Sequence, residues 1–480
     1  MKPLQAEVEE KPLPAPLHAQ TLAWVRAKCA RWPWYRAVAD VSVLLVQQVA
    51  STGISAITSV LTARGLGPSG LGLVALAQNV TGLSGSLSNL GVNQTALRYA
   101  SREMAAGNQA AAFSVLRWAF RQRMALVLAI TAVAYAFAPM LANNLWHKPE
   151  LTRLIRVALP LSILVVLAAV PDVFFQAARK FHVNAAVRVG ESVVALLGIT
   201  TLWIFHLWTP FAVLIVSTLA LGMSALLFLT AIPREALVSR SDSALLWPLN
   251  LKRFFRYPLT LETAKHELHL ERPGHFAAFL AFSSLLGTLT ARMDYLFLGV
   301  YRSAADVGIY SIGAQFAIPL TFLVGAMNTA LFPRMAGART HESLMSLSSR
   351  TWRLTLLAFL ASVLYTGIIP QLVPFILGDR YRASVLVGHL LCLRNCIWLL
   401  TCPLIIFGYG LGLARHYVVV DSVKLVVVLV INLCFIGTYG TIVPAIALCA
   451  NELVSLVAVG LLYLMKVRAS QPIEACPTRL

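Results

Sequence analysis

Charge is scarce in this chain. Charged residues occupy 12% of its 480 positions, and acidic ones are scarcer than basic ones, 20 against 39. A soluble domain of that length needs a polar surface that such counts do not build. Cysteine is sparse as well. The seven cysteines include no paired C-x-x-C ligand set, and Cys392 and Cys396 share a helix face inside an apolar run. They read as small buried hydrophobes, so no disulfide and no metal centre is expected. A Walker lysine loop and an H-E-x-x-H pair are also missing, which removes the usual signals of nucleotide hydrolysis and of a zinc hydrolase. No cofactor is expected. The first 36 residues hold no apolar core, so a charged cytoplasmic tail is expected there and not a cleaved signal peptide.

What fills the chain is hydrocarbon: 58% hydrophobic residues and a mean hydropathy of +0.74. Windows of about 20 apolar residues suffice to cross a bilayer core of roughly 30 Å. They fall near 37–63, 71–91, 124–145, 155–175, 186–206 and 210–231, then near 276–298, 307–331, 354–376, 383–407, 416–437 and 441–465. The expectation is an all-α integral membrane protein with about twelve transmembrane helices. Its parts would be a tail (1–36), a six-helix lobe (37–231), a cytoplasmic linker (232–275), a second six-helix lobe (276–466) and a short tail (467–480).

Basic residues give the orientation. With the amino terminus in the cytoplasm, the inner segments collect Lys28, Arg31, Arg36, Arg98, Arg102, Arg117, Arg121, Arg123, Arg179, Lys180, Lys252, Arg253 and Arg256, among others. The opposite loops hold only Arg64, Lys148, Arg153, Arg156, Arg302, Arg380 and Arg382. Both termini are therefore expected in the cytoplasm. The formal charge of +19 reads as this topological signal facing anionic inner-leaflet lipids, with no nucleic acid implied.

The halves echo each other. Gly72-Leu-Val-Ala-Leu-Ala and Asn93-Gln-Thr-Ala-Leu-Arg98 in the first correspond to Gly308-Ile-Tyr-Ser-Ile-Gly and Asn328-Thr-Ala-Leu-Phe-Pro-Arg334 in the second, at an offset of about 235 residues. Six crossings bring the chain back to its starting side, so the lobes would be parallel repeats around a central cavity.

Ionised side chains inside hydrocarbon are costly and usually face a cavity, which points to transport of something polar. The first span carries Asp40, Gln47, Ser51, Ser55 and Thr58 on one stripe, and the second carries Gln78, Gly82, Gly85 and Asn89. Such stripes serve either a wet cavity or close helix packing, and two of them on neighbouring spans favour the cavity. Arg292 and Asp294 lie two residues apart in the seventh span and so point in different directions. Arg394, Lys424 and Glu452 fall near mid-depth of the last three spans, where Arg394 can meet Glu452, and Asp421 can pair with Lys424 one turn away. These groups either fix helix register or form a cationic site with a carboxylate able to carry a proton. Glu191 pairs with Arg188 near the surface. Some matches are decoys: Gly65-Leu-Gly67-Pro-Ser-Gly70 has no strand before it, and Asn79-Val-Thr81 lies inside a span.

Leu61-Thr-Ala-Arg-Gly-Leu-Gly-Pro-Ser-Gly-Leu-Gly72, Asn89-Leu-Gly-Val-Asn93, Asp294-Tyr-Leu-Phe-Leu-Gly299, Val307-Gly-Ile-Tyr310, Leu331-Phe-Pro333 and Phe375-Ile-Leu-Gly378 occur in order over residues 40–465. Together they resemble the bacterial polysaccharide flippases of the multidrug/oligosaccharidyl-lipid/polysaccharide exporter superfamily. The resemblance implies two lobes forming a V, an undecaprenyl-diphosphate-linked oligosaccharide as cargo, and an ion gradient as drive. It also implies an inner-membrane flippase without enzymatic activity, a monomer working beside polysaccharide polymerase machinery. The cavity would present Asp40, Gln47, Gln78, Gln315, Arg292 and Asp294. Arg292 would attract the diphosphate, helped by Arg394 or Lys424, and the ion-coupled carboxylate would come from Asp294, Glu452, Asp421 or Asp40. The alternatives are an ion-coupled multidrug antiporter of the same superfamily, a glycan polymerase or ligase (which the short outer loops argue against), and an uncoupled scramblase.

Overall fold

A computed structural model describes residues 33–89, 91–233, 282, 285–336, 341–410 and 414–469. Every regular element among them is helical. The first, α1 (Pro33–Leu87), is two membrane crossings joined at a kink, where Gly67 takes φ 67° and ψ 178° and Pro68 restarts the helix. Glycine adopts that left-handed φ without strain, and proline suits a first helical turn, where its missing N–H is not needed. The first half continues through α2 (Val92–Ala105), α3 (Gln109–Met140), α4 (Glu150–Ala158), α5 (Pro160–Ala177), α6 (Phe181–Ile204) and α7 (Pro210–Ala231). The second half comprises helical residues 285–290, then α8 (Met293–Tyr301), α9 (Ala304–Ala336), α10 (His341–Ile368), α11 (Val373–Leu377), α12 (Ser384–Gly410), α13 (Ala414–Tyr439) and α14 (Val443–Ala469).

Nine stretches of the described residues are long and apolar enough to cross a membrane. Two of them, Leu45–Leu87 and His416–Met465, hold two crossings each, divided at Gly67 and at Gly440–Ile442. With the crossing made by residues 285–301, the described residues make twelve crossings. It is a multi-pass, all-α membrane protein. Its surface is the inverse of a soluble one: Leu354, Leu357 and Leu364 lie exposed, while Ser162 and Thr131 are buried and bonded to each other at 2.9 Å.

Two stretches lie outside the expected spans. α2 follows the second crossing as a separate helix that buries Ala96 and Ala100. α3 starts at Gln109, fifteen residues before the apolar window at 124. Both carry arginine among small apolar residues. Hydropathy windows average that mixture to nothing, although the helical period is intact.

Twelve crossings give the molecule two ends, named here by their first turns, Gly67 and Gly91. At the Gly67 end the halves share their cores. One cluster joins Leu76, Trp146 and Ile155 to Leu298, Tyr310 and Cys392, and another joins Ala63 and Leu71 to Ile312 and Tyr381. Toward the Gly91 end the cores divide: one contains only residues between 92 and 232, another only residues between 323 and 463. The lobes thus meet at one end and stand apart at the other.

The meeting line runs between α1 and α9. A Cβ placed on Gly72 would strike the carbonyl of Ala304, and one placed on Gly308 would strike the carbonyl of Pro68. Both pairs obey one offset, 236 residues (308 less 72, 304 less 68). Residues equivalent in the repeat therefore touch each other, as at an isologous two-fold contact. Polar links flank this seam. The Tyr381 hydroxyl donates to the carbonyl of Ala63 at 2.8 Å, and Arg64 Nε donates to the carbonyl of Ile376 at 2.9 Å. Lys148 Nζ reaches the carbonyls of Gly299 (2.6 Å) and Arg302 (3.0 Å). Burial pushes the Lys148 ammonium below its usual range, and the nearby Asp306 carboxylate works against that. Asp306 also closes the start of α9, exchanging bonds with Ser303 as a reciprocal cap.

Candidate functional site

The crossing at 285–301 is broken. Its helix stops at residue 290, residues 291–292 form a turn, and α8 begins at Met293 with Arg292 as its cap (φ −117°, ψ −9°). Irregular backbone at membrane depth persists where protein or a wet cavity satisfies the freed groups. Here Asn79 Nδ2, on the second limb of α1, donates to the Arg292 carbonyl at 3.3 Å.

The break sends two charges to different places. Asp294 turns into the second lobe and is 6% exposed. Its Oδ2 accepts from the Tyr310 hydroxyl and its Oδ1 from the Tyr295 N–H, both at 2.8 Å. Arg292 stays half-buried and crosses to the first lobe, where its guanidinium lies against Gly82. That guanidinium makes no hydrogen bond or ion pair with any described residue. Among the described residues it is a cation with unspent donors on the line between the lobes.

Gln78 is one turn from Gly82 on the same face of α1. Gln315 continues the α9 stripe of Gly308 and Ile312, both of which touch the first lobe. Gln47 lies twenty residues before the Gly67 kink, ~30 Å along the helix and so toward the Gly91 end. All three are half-buried, and their amides bond to no described residue.

A second polar centre sits wholly in the second lobe. Arg394 meets Glu452 Oε1 through Nη2 at 3.4 Å, donates from Nη1 to Asn395 Oδ1 at 3.2 Å, and holds its Cζ 5.2 Å from the centre of the Trp398 ring. Asn395 ties this group to α9 through the Ala317 carbonyl (2.8 Å). Glu452 is 4% exposed, and its Oε2 has no partner among the described residues. Depth counting thus brought Arg394 and Glu452 together. It did not place Lys424. That residue is 16 positions before Gly440 while Glu452 is 10 after Ile442, a difference of ~9 Å at the helical rise. Lys424 pairs instead with Asp421 of its own helix at 3.5 Å. The side chain of Asp40 and residues 283–284 lie outside the described residues. Arg188 meets Glu191 at 3.5 Å, as expected, and also Asp172 at 3.0 Å.

Sequence reasoning missed Asn79, Tyr310 and Lys148. The signals were present, an amide and a phenol within apolar runs and a lone lysine in a short loop, but each is common in membrane helices for packing alone.

A family model described as polysaccharide biosynthesis protein matches residues 37–338. The chain belongs to the polysaccharide biosynthesis protein family. No curated protein sequence matches this family member. Solved structures share its fold. An inward-facing multidrug resistance MATE family transporter of the MOP superfamily aligns at TM-score 0.63 and 16% identity, over 90% of this chain and 99% of that one. The lipid II flippase MurJ in an inward closed conformation aligns at 0.63 and 12%, over 90% and 87%. An outward-facing MATE transporter aligns at 0.59 and 13%, over 90% and 96%. At these identities the likeness is one of fold. With the family match, it makes this family member a membrane transporter or flippase.

Proposed function

We propose that the protein is a flippase for an undecaprenyl-diphosphate-linked oligosaccharide, working by alternating access in a bacterial inner membrane with both termini in the cytoplasm. The observation that carries this reading is the guanidinium of Arg292 between the lobes, which has no hydrogen-bond partner among the described residues. A diphosphate leaves water only for cations with donors to spare, and guanidinium meets phosphate oxygens through a fork of N–H groups. Gln78, Gln315 and Gln47 would offer amides to sugar hydroxyls along the passage, and the lipid tail would remain in the bilayer between the lobes. Arg98, Arg102, Arg117 and Arg121 fall at the Gly91 end, which supports a cytoplasmic wide end, where such a cargo would be loaded.

The four candidate carboxylates for ion coupling are unequal. Glu452 keeps a buried oxygen without a partner, which is where a proton or small cation would sit, and Asp294 is held by Tyr310 beside Arg292. Asp421 already faces Lys424. The protein would act as a monomer, in contact with anionic lipids and feeding a polymerase on the far side.

The test is surface glycan in cells carrying Arg292→Ala at matched protein level, with transport of a lipid-linked oligosaccharide in proteoliposomes alongside. A loss of at least tenfold is expected, with partial recovery in Arg292→Lys. Normal export in R292A would remove Arg292 from the mechanism. Drug efflux that needs neither arginine nor lipid diphosphate would point to the antiporter instead.

A further inference from the structure

Arg292 is anchored in one lobe and rests its guanidinium on the other. A Cβ built on Gly82 would stand 2.8–2.9 Å from Cζ, Nη1 and Nη2 of Arg292. All three atoms are crowded at once, so the guanidinium is pressed against bare helix backbone and not merely passing it. Guanidinium donors lie in the plane of the group, so contact on one side leaves its N–H edge free. One turn away, Asn79 holds the Arg292 carbonyl. Asn79 is 2% exposed, and its own Oδ1 has no partner among the described residues. Asn79 thus fixes the backbone from which Arg292 projects, while Gly82 meets its guanidinium.

We propose that Gly82 is a positioning residue: with Asn79 it forms a seat on the first lobe that orients the second lobe's Arg292 toward the diphosphate, so the anion site is whole only while the lobes touch along this seam. The idea rests on the assignment of Arg292 to the diphosphate. It adds a route to release. A ligand drives a change of state only through a difference in its affinity for the two states. When the lobes part at the Gly67 end, Gly82 and Arg292 separate and the cation loses its support. Cargo would then be held tightly in the state drawn here and weakly in the opposite one, with no change in any charge.

The test uses full-length protein in nanodiscs, with farnesyl diphosphate and farnesyl monophosphate as probes, titrated against wild type, G82A, R292A and G82A/R292A. The crowded atoms are the end of a flexible side chain, so G82A should fold, and thermal unfolding of each variant checks this. R292A is expected to weaken diphosphate binding tenfold or more and G82A three- to tenfold. The double variant should be no weaker than R292A, and both losses should be larger for the diphosphate than for the monophosphate. If G82A binds like wild type while R292A does not, Gly82 is no seat. If the two losses multiply, Gly82 acts apart from Arg292. If R292A itself binds normally, the assignment of Arg292 fails first. A second variant leaves both residues intact: K148M removes a cross-lobe link at the Gly67 end. It should lower diphosphate affinity in step with the opening of that end, read from spin-label distances. Opening without loss of affinity would refute the dependence on lobe contact.

Discussion

Arg394 and Glu452 are an unequal pair: the Glu452 side chain is 5% exposed and that of Arg394 23%. Taking the arginine away leaves a buried carboxylate whose charge, among the described residues, faces only the neutral Asn451 amide at 3.2 Å. Taking the carboxylate away leaves a cation that still has Asn395 and the Trp398 face. Losing one partner of a buried pair costs about 3–5 kcal/mol, and replacing both by apolar groups is often near neutral. R394M should therefore lower thermal stability in detergent more than E452Q, and R394M/E452M should recover most of the loss. Equal losses in the two single variants would show that the pair is solvated. Tyr310→Phe withdraws a donor from buried Asp294 and should cost about 1.5–3 kcal/mol, the range for bonds to charged groups. An unchanged melting curve would show that water replaces the phenol. The charges themselves were legible in the sequence because an ionised group inside an apolar run has few innocent explanations. Asn79 and Tyr310 were not, since their importance comes from a helix break and a facing lobe, neither of which leaves a local trace.

Helix ends set the next scale. Three cations each meet carbonyls at the end of a helix: Lys148 at α8, Arg64 at α11, and Arg302 at α13 through Ile436 (3.1 Å) and Gly437 (2.8 Å). Those carbonyls carry the negative pole of the helix dipole, and a cation there contributes about 0.3–1 kcal/mol, up to ~2 when partly buried. Lys148 and Arg64 span the two lobes, whereas Arg302 stays within one. K148M should therefore raise the fraction open at the Gly67 end several-fold, measured as the distance between spin labels on Ser69 and Arg382, and R302M should leave that distance unchanged while lowering stability. An equal response in both would mean that these contacts serve packing and not closure. Most crossings could be read from hydropathy alone. α2 and the first turns of α3 could not, because arginine and alanine are mixed there with a helical period but low mean hydropathy.

For the molecule as a whole, the repeat was visible in matching Gly-x-x-x motifs, and the structure shows what it is for. Gly72 and Gly308 face the same obstacle, each other's neighbouring carbonyl. Alanine at either should push the lobes apart by the same mechanism, so G72A and G308A should open the Gly67 end to a similar degree, by about tenfold in population if each costs about 1.4 kcal/mol. A large effect from one and none from the other would show that the seam is not two-fold. Sequence could suggest the symmetry but not this contact, since nothing local says which copies of a repeat will face each other. A seam of this kind can be built by a half-length polypeptide and its own twin, so fusing two such copies invents no new interface. What fusion permits is divergence. At the same 236-residue offset, Ala56 corresponds to Arg292 and Ile318 to Gly82, so a two-fold contact carries its arginine on one side only.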